Sequence, residues 1–275
     1  MAVQSRNGTG GNGTGGNGAG NGSVHDQGGV YQGGVHQGGF WARISRHQPG
    51  LLIGLSVIAG LLFGFVELAG EVMEGETFAF DKRILLVLRD PVNPELPGGP
   101  WWLARMAKDI TSLGSTTVLA ILTVAALGFL VLLRKRAAAL LVLASIGGGG
   151  ALSTVLKRLF DRARPDLVPH GDEVLSASFP SGHAMLSAVV YLTLGALLAQ
   201  FVEGRRTKAY LLIWAMLLTL AIGSSRVYLG VHWPTDVLAG WSVGAAWAAL
   251  CWMIAEWLQR RGAVEQDRPE TAVGR

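Results

Sequence analysis

Six long apolar segments constrain the fold of this chain more than any other feature. They cover residues 49–66, 113–133, 137–156, 184–202, 209–224 and 235–257. A helix of about 20 apolar residues, with a range of about 17–25, crosses the hydrocarbon core of a bilayer. The fifth segment is short, but Val227–Leu229 can extend it. Because backbone amides find no other partner in lipid, the segments predict an all-α, polytopic membrane protein with a bundle of six transmembrane helices.

The composition excludes several other classes of protein. Half of the residues are hydrophobic and only 15% are charged, whereas an average soluble domain carries about 25% charged residues. The single cysteine, Cys251, excludes a disulfide scaffold. The net charge of +4 is modest, and its clustering near the ends of the apolar segments is typical of membrane topology rather than of nucleic-acid binding.

Three regions follow from the distribution of residue types. Residues 1–39 hold 15 of the 39 glycines, mixed with Asn, Thr and Gln, and predict a disordered tail. Residues 40–260 form the predicted membrane domain, and residues 261–275 form a polar C-terminal tail. Between the first two apolar segments, Phe78–Arg89 predicts a short amphipathic helix on the membrane surface.

Basic residues in short loops predict the orientation of the bundle. They form four groups, all on one side of a six-helix topology: Arg43 with Arg46, Arg134–Arg136, Arg205–Lys208, and Arg260 with Arg261. Because cytoplasmic loops are enriched in Lys and Arg, both termini are predicted to be cytoplasmic, in a plasma (inner) membrane. The loops 67–112, 157–183 and 225–234 then lie outside.

The outer loops nevertheless carry cations that the topology rule disfavours there: Lys157, Arg158, Arg162, Arg164 and Arg226. Taken singly, each is consistent with ordinary juxtamembrane charge. Taken together they indicate an anionic partner, and the fork of an arginine side chain favours phosphate. If the third helix continues past Lys157, that residue and Arg164 share one helix face, and Pro165 helps to end the element.

A second motif, Phe179-Pro-Ser-Gly-His183, directly precedes the fourth apolar segment. Ser181 is a candidate helix cap, and the free amides at such an end bind anions. Gly182 allows a ligand to approach the backbone, and His183 lies at the mouth of the helix, where it can donate a proton. A simple capped helix start, with no ligand, also explains this motif.

A third motif, Ser225-Arg-Val-Tyr-Leu-Gly-Val-His-Trp-Pro-Thr-Asp236, precedes the sixth segment. Pro234 is expected to open the sixth helix, with Asp236 in its first turn. His232 lies four residues earlier, within reach of a hydrogen bond to Asp236 that leaves the other ring nitrogen nucleophilic. A purely structural His–Asp contact explains the pair equally well when it is considered alone.

The three motifs resemble the signatures of the type 2 phosphatidic acid phosphatase superfamily, which also includes vanadium haloperoxidases and glucose-6-phosphatase. The family pattern is Lys-x6-Arg-Pro, then Pro-Ser-Gly-His, then Ser-Arg-x5-His-x3-Asp. It is complete at Lys157–Pro165, Pro180–His183 and Ser225–Asp236. The six-helix plan extends the resemblance to residues 49–257.

This resemblance implies a role for each motif residue. His232 attacks phosphorus and forms a phosphohistidine, Asp236 orients it, and His183 protonates the leaving oxygen. The phosphoryl oxygens are held by Lys157, Arg164, Ser181, Gly182 and Arg226. Arg162 could add to this site but is not a signature position. No metal or other cofactor is implied, and the sequence holds no compact cluster with metal-ligand spacing. A neutral His232 and a protonated His183 predict a bell-shaped pH profile.

The predicted function is hydrolysis of a lipid phosphate or diphosphate at the outer membrane face. Undecaprenyl diphosphate, phosphatidic acid and phosphatidylglycerol phosphate all fit, because the motifs contact phosphate and not the rest of the lipid. A phosphotransferase using the same phosphohistidine, a haloperoxidase-like vanadate protein, and a non-catalytic lipid-binding or transport protein are the alternatives. The partners expected are the bilayer and a lipid phosphate, without nucleic acid; the oligomeric state stays open.

Overall fold

The computed structural model describes residues 49–166 and 177–261, and every regular element in these two stretches is helical. The helices are α1 Pro49–Glu74, α2 Phe78–Val87, α3 Trp101–Ser112, α4 Thr116–Leu132, α5 Arg136–Phe160, α6 Gly182–Gln200, α7 Arg205–Tyr228 and α8 Pro234–Arg260. The predicted all-α class is therefore confirmed. The predicted tail 1–39, the predicted tail 261–275 except Arg261, and the basic residues Arg43 and Arg46 lie outside the described residues.

Within the described residues, five helices are long and apolar enough to cross a membrane: α1, α5, α6, α7 and α8. The short helix α3 and the 17-residue α4 meet at a bend of 46°, and they provide a sixth span if the pair crosses as one. Large apolar side chains remain on the outside of the helices, as at Phe63, Val124 and Leu132. Such a surface fits lipid, which confirms the polytopic membrane architecture.

Helix α6 lies inside the bundle, in contact with α4, α5, α7 and α8. Two glycines allow α8 to approach it closely. A Cβ atom at Gly240 would lie 2.7 Å from the carbonyl oxygen of Ser181, and one at Gly244 would lie 2.5 Å from that of Met185. Because neither position accommodates a side chain, the start of α6 and the part of α8 around Gly240 and Gly244 come together backbone against backbone.

The two ends of the bundle differ in the residues they collect. At one end the Lys135 ammonium lies 4.4 Å from the centroid of Phe201, and Gln259 donates a hydrogen bond to Gln200. This end holds the basic loops before α5 and α7 and the end of α8. At the other end the Ser181 amide donates to the carbonyl of Asp236 at 2.9 Å. All three motifs therefore lie at the end opposite the basic loops.

Helix α2 corresponds to the predicted amphipathic segment 78–89, and it packs against the protein through one face. Leu85 is fully buried among Ala184, Val227 and Val237. Asp81 on the same helix is also fully buried, although a carboxylate is expensive to bury without partners. This helix is therefore anchored to the motif end of the bundle by a polar contact as well as by an apolar one.

Candidate active site

The three motifs converge on one cavity of about 540 Å³. Six of the eight residues predicted from the sequence line it: Lys157, Arg164, Gly182, His183, Arg226 and His232. The remaining two, Ser181 and Asp236, lie behind its wall and are fully buried. Residues from α5, α6, α7 and the segment before α8 thus meet around a space large enough for a small anion and its substituent.

Lys157 and Arg164 reach the cavity from different local structures. Helix α5 ends at Phe160, and Asp161 follows with a φ of 29°. The chain therefore turns out of the helix before Arg164, so Lys157 and Arg164 do not share one helix face. Arg164 instead donates to the carbonyl of Val231 at 3.2 Å and lies 3.5 Å from Nε2 of His232. Both cations still border the same space.

The start of α6 brings its backbone to the cavity. A Cβ atom at Gly182 would lie 3.4 Å from Nζ of Lys157, so the ammonium rests against this glycine. Ser181 occupies the N-cap position, but its side chain does not cap the helix. The expected cap is wrong because Oγ of Ser181, although buried, makes no hydrogen bond to any described residue. A buried hydroxyl without a partner next to a helix N-terminus fits an anion that accepts from it.

An aromatic cluster fixes the segment before α6. The ring of Phe179 is fully buried and lies 5.0 Å from that of Phe160 and 6.0 Å from that of Phe65, centroid to centroid. This contact joins the segment to α1 and α5. Ser178, one residue earlier, is thereby held against His232, a contact that the motif analysis did not predict.

His232 is the most buried titratable group that borders the cavity, with 1% of its surface exposed. Its Nδ1 lies 3.4 Å from Oδ2 of Asp236 and 3.3 Å from Oγ of Ser178. Burial lowers the pKa of His232 to about 4; the Asp236 carboxylate opposes this effect, and the cations of Arg226 and Arg164 add to it. The imidazole is therefore neutral near pH 7, with Nε2 on the side of Arg164.

Asp236 is held from several directions in the first turn of α8, which begins with Pro234 as expected. Its Oδ2 accepts hydrogen bonds from the Trp233 amide at 3.0 Å and from the Ser178 hydroxyl at 2.5 Å. Its Oδ1 accepts from Nη1 of Arg162 at 2.6 Å. With both oxygens bonded, the carboxylate cannot rotate away from His232.

Arg162 connects this carboxylate to a second one. Its Nη2 donates to Oδ2 of Asp81 at 2.7 Å. Asp81 also accepts from the amide and the hydroxyl of Thr235, at 3.0 and 2.6 Å. Arg162 does not line the 540 Å³ cavity. Its guanidinium lies between two carboxylates and is not at the position suggested for phosphate. Nothing in the sequence pairs residues 81 and 162, since their contact depends on how α2 docks.

The bend between α3 and α4 forms the far wall of the cavity. Gly114 and Thr116 line it, and a Cβ atom at Gly114 would lie 3.3 Å from Cδ2 of His183. Oγ1 of Thr111, in the last turn of α3, lies 3.4 Å from Nη1 of the buried Arg226. The sequence motifs do not include this wall.

The described residues contain no group of three or more His, Cys, Asp or Glu side chains placed to hold a metal ion. Three cations, the amides at the start of α6 and a neutral imidazole surround the cavity instead. Independence from metal stays a prediction.

Comparisons with known proteins identify the family of the chain. The model of the PAP2 superfamily matches residues 138–260. A phosphatidylglycerophosphatase B of Bacillus subtilis is 38% identical over 146 residues, which cover 52% of this chain and 70% of the relative. The chain belongs to the PAP2 superfamily. Its predicted membership and its predicted class, a phosphatase, are confirmed.

Two further PAP2 relatives extend the comparison. A decaprenylphosphoryl-5-phosphoribose phosphatase of Mycobacterium tuberculosis is 31% identical over 132 residues, covering 47% of this chain and 68% of the relative. The crystal structure of a transmembrane PAP2-type phosphatidylglycerolphosphate phosphatase from Bacillus subtilis superposes with a TM-score of 0.64 at 32% identity. That match covers 74% of this chain and 98% of the solved one.

Proposed function

We propose that this PAP2 protein is an integral membrane phosphatase that removes phosphate from a lipid phosphate or diphosphate through a phosphohistidine at His232. One observation carries the proposal. A buried, neutral imidazole is held on a carboxylate through Nδ1, while Nε2 lies beside Arg164 at a cavity lined by three cations. A binding or transport protein has no need of a nucleophile prepared in this way.

In the first step, Nε2 of His232 attacks phosphorus and forms a P–N bond. The P–O bond to the lipid breaks, and its electron pair goes to the leaving oxygen. His183 lies across the same cavity and donates a proton to that oxygen. The imidazole gains positive charge in this step, and the adjacent Asp236 carboxylate stabilises it.

In the second step, water replaces the histidine on phosphorus. His183, now neutral, accepts a proton from the water as its oxygen attacks. The P–N bond breaks, its electron pair returns to Nε2 of His232, and inorganic phosphate leaves. Each residue then has its starting protonation state, so the cycle closes without a metal or redox partner.

The cations stabilise the charge that develops on the equatorial oxygens of the phosphoryl group. Lys157 supplies a compact ammonium, whereas Arg164 and Arg226 supply planar donor pairs. The Gly182 amide adds a neutral donor at the start of α6, and the Ser181 hydroxyl, buried beside it, makes no other hydrogen bond within the described residues. Donors that are already fixed around the reacting group lower the barrier most effectively.

The distribution of basic residues supports an extracytoplasmic site. The basic loops around Lys135 and Arg206 and the end of α8 lie at one end of the bundle, and the cavity lies at the other. Because basic loops stay in the cytoplasm, the cavity opens on the opposite face of a plasma (inner) membrane, with both termini cytoplasmic. A lipid headgroup there can enter the cavity while its chains remain in the bilayer.

Among candidate lipids, phosphatidylglycerol phosphate is the first to test, because the similar sequence and the similar structure from Bacillus subtilis are each named as a phosphatase of that lipid. Phosphatidic acid and undecaprenyl diphosphate complete the panel.

The test is phosphate release from each lipid by the purified protein in EDTA, beside His232→Ala. Arg206→Gln, at the basic end of the bundle, is the matched control. We expect release with at least one lipid by the natural chain and by Arg206→Gln, and none by His232→Ala. Release by His232→Ala at the natural rate would contradict the proposal, and so would a strict requirement for a divalent cation.

A further inference from the structure

A row of alternating charges lies behind His232, on the side away from the cavity. It runs from Asp81 through Arg162 to Asp236, with separations of 2.7 and 2.6 Å between the charged atoms. Both carboxylates are fully buried, and 14% of the arginine side chain is exposed. Asp81 belongs to α2, outside residues 138–260 that match the PAP2 model. The row thus joins a helix beyond the matched region to the carboxylate on His232.

We propose that Asp81 and Arg162 are positioning residues that set the charge experienced by His232, through their contact with Asp236. The inference rests on the proposed role of His232 as nucleophile. Arg162 divides its positive charge between two carboxylates, so each partner receives part of it. Its hold on Asp236 therefore depends on whether the Asp81 carboxylate is present.

The arrangement predicts opposite effects for its two members. Without the Arg162 charge, Asp236 is left uncompensated and attracts the His232 proton more strongly. Without the Asp81 charge, Arg162 contacts Asp236 alone and compensates its charge more fully. Asp236 then attracts the proton of His232 more weakly, which lowers the pKa of the imidazole. If the pair has a purely structural role, loss of either residue would only weaken the packing of α2. The two variants would then not shift the pKa of His232 in opposite directions.

The other groups that face His232 are the same in every variant, so they do not alter the comparison. They are Ser178 before α6, Arg164 after α5, Arg226 on α7, and, around the cavity, Lys157 on α5 and His183 on α6. The ionisation of the substrate phosphate is also common to all variants.

The experiment measures kcat/KM at pH 4.5 relative to pH 7 for Arg162→Gln, Asp81→Asn and the double variant. Raising the pKa of His232 by about one unit lowers this ratio about threefold, which is the result expected for Arg162→Gln. We expect no fall for Asp81→Asn, and an intermediate ratio for the double variant. Equal falls in the two single variants, or unchanged ratios in both, would overturn the inference.

Two further variants separate this effect from loss of folding. Arg162→Lys keeps the charge, so its ratio should return towards that of the natural chain even if its kcat stays low. Arg158→Gln removes an exposed cation from the last turn of α5 and should leave the ratio unchanged. If Arg162→Gln does not fold, Asp81→Asn still tests the inference, since a fall in its ratio would contradict it.

Failure of this inference is distinguishable from failure of the proposed function. If His232→Ala retains activity, His232 is not the nucleophile, and both the proposed function and the inference about Asp81 and Arg162 fail. If His232→Ala is inactive while the ratios of Asp81→Asn and Arg162→Gln match the natural one, only the inference about Asp81 and Arg162 fails.

Discussion

The two sides of His232 are built in different ways. On the cavity side, Lys157, Arg164 and His183 are partly exposed and border open space. On the opposite side, Asp81 and Asp236 are fully buried, and each of their oxygens accepts at least one hydrogen bond. One side is therefore arranged to receive an anion, and the other keeps the imidazole in one orientation. Variants of the cations on the first side should alter binding, and variants on the second side should alter turnover.

The largest effect is expected where the two sides meet. His232→Ala removes the nucleophile and leaves the cations in place, so kcat should fall by roughly 10⁴-fold or more. Binding of the lipid phosphate, measured by titration calorimetry in detergent, should persist within a few-fold of the natural value. Loss of binding together with loss of turnover would show that the two sides are not separable.

The next largest effect is expected on the buried side. Asp236→Asn keeps the size of the side chain but removes the charge that stabilises the imidazolium. The kcat should fall by roughly 10³-fold while KM changes little, because no contact with the substrate is lost. Steady-state kinetics on one lipid phosphate measure both constants. A rise in KM without a change in kcat would assign Asp236 to the binding side instead.

A smaller effect, shared between kcat and KM, is expected on the cavity side. Lys157→Ala removes one of the three cations at the cavity, so kcat/KM should fall by roughly 10²-fold, with KM accounting for part of the loss. Arg158→Gln, the neighbouring exposed cation, is the matched control and should behave like the natural chain. If both variants lose activity equally, charge at this membrane edge matters more than the position of Lys157.

The smallest effect is expected from a mild change of pH. Because burial lowers the pKa of His232 to about 4, its imidazole stays neutral as the pH falls and gains a proton only near pH 4. At pH 5 about nine-tenths of the nucleophile should remain neutral. The acid limb of kcat/KM, corrected for the ionisation of the substrate, should therefore have its midpoint near pH 4. A midpoint at the ordinary histidine value near 6.5 would indicate that water reaches the buried side.

The division between the two sides also explains what the sequence could predict. The residues on the cavity side lie in motifs with short, regular spacing, so their types and intervals indicated phosphate chemistry before any fold was known. The span pattern then predicted that Lys157, His183 and His232 share one end of the bundle. The pairing of His232 with Asp236 could be predicted as well, because only four residues separate them.

Contacts between distant segments could not be predicted in this way. Asp81 and Thr235 are 154 positions apart, and their hydrogen bond exists only because α2 docks on the start of α8. Ser178 reaches His232 because Phe179 is buried between α1 and α5. The end of α5 before Arg164 and the uncapped side chain of Ser181 could not be predicted for a related reason. Tertiary contacts decide both, whereas the motif spacing alone favoured regular helix geometry.

The most direct test of the central claim is to identify the residue that carries phosphate during turnover. The protein would be mixed with a lipid labelled in its phosphate, quenched in alkali within milliseconds, digested and mapped by mass spectrometry, because phosphohistidine survives alkali and is lost in acid. The label should be found on His232 and should disappear as inorganic phosphate accumulates. Label on His183, or on no residue at any quench time while lipid is being dephosphorylated, would contradict the account.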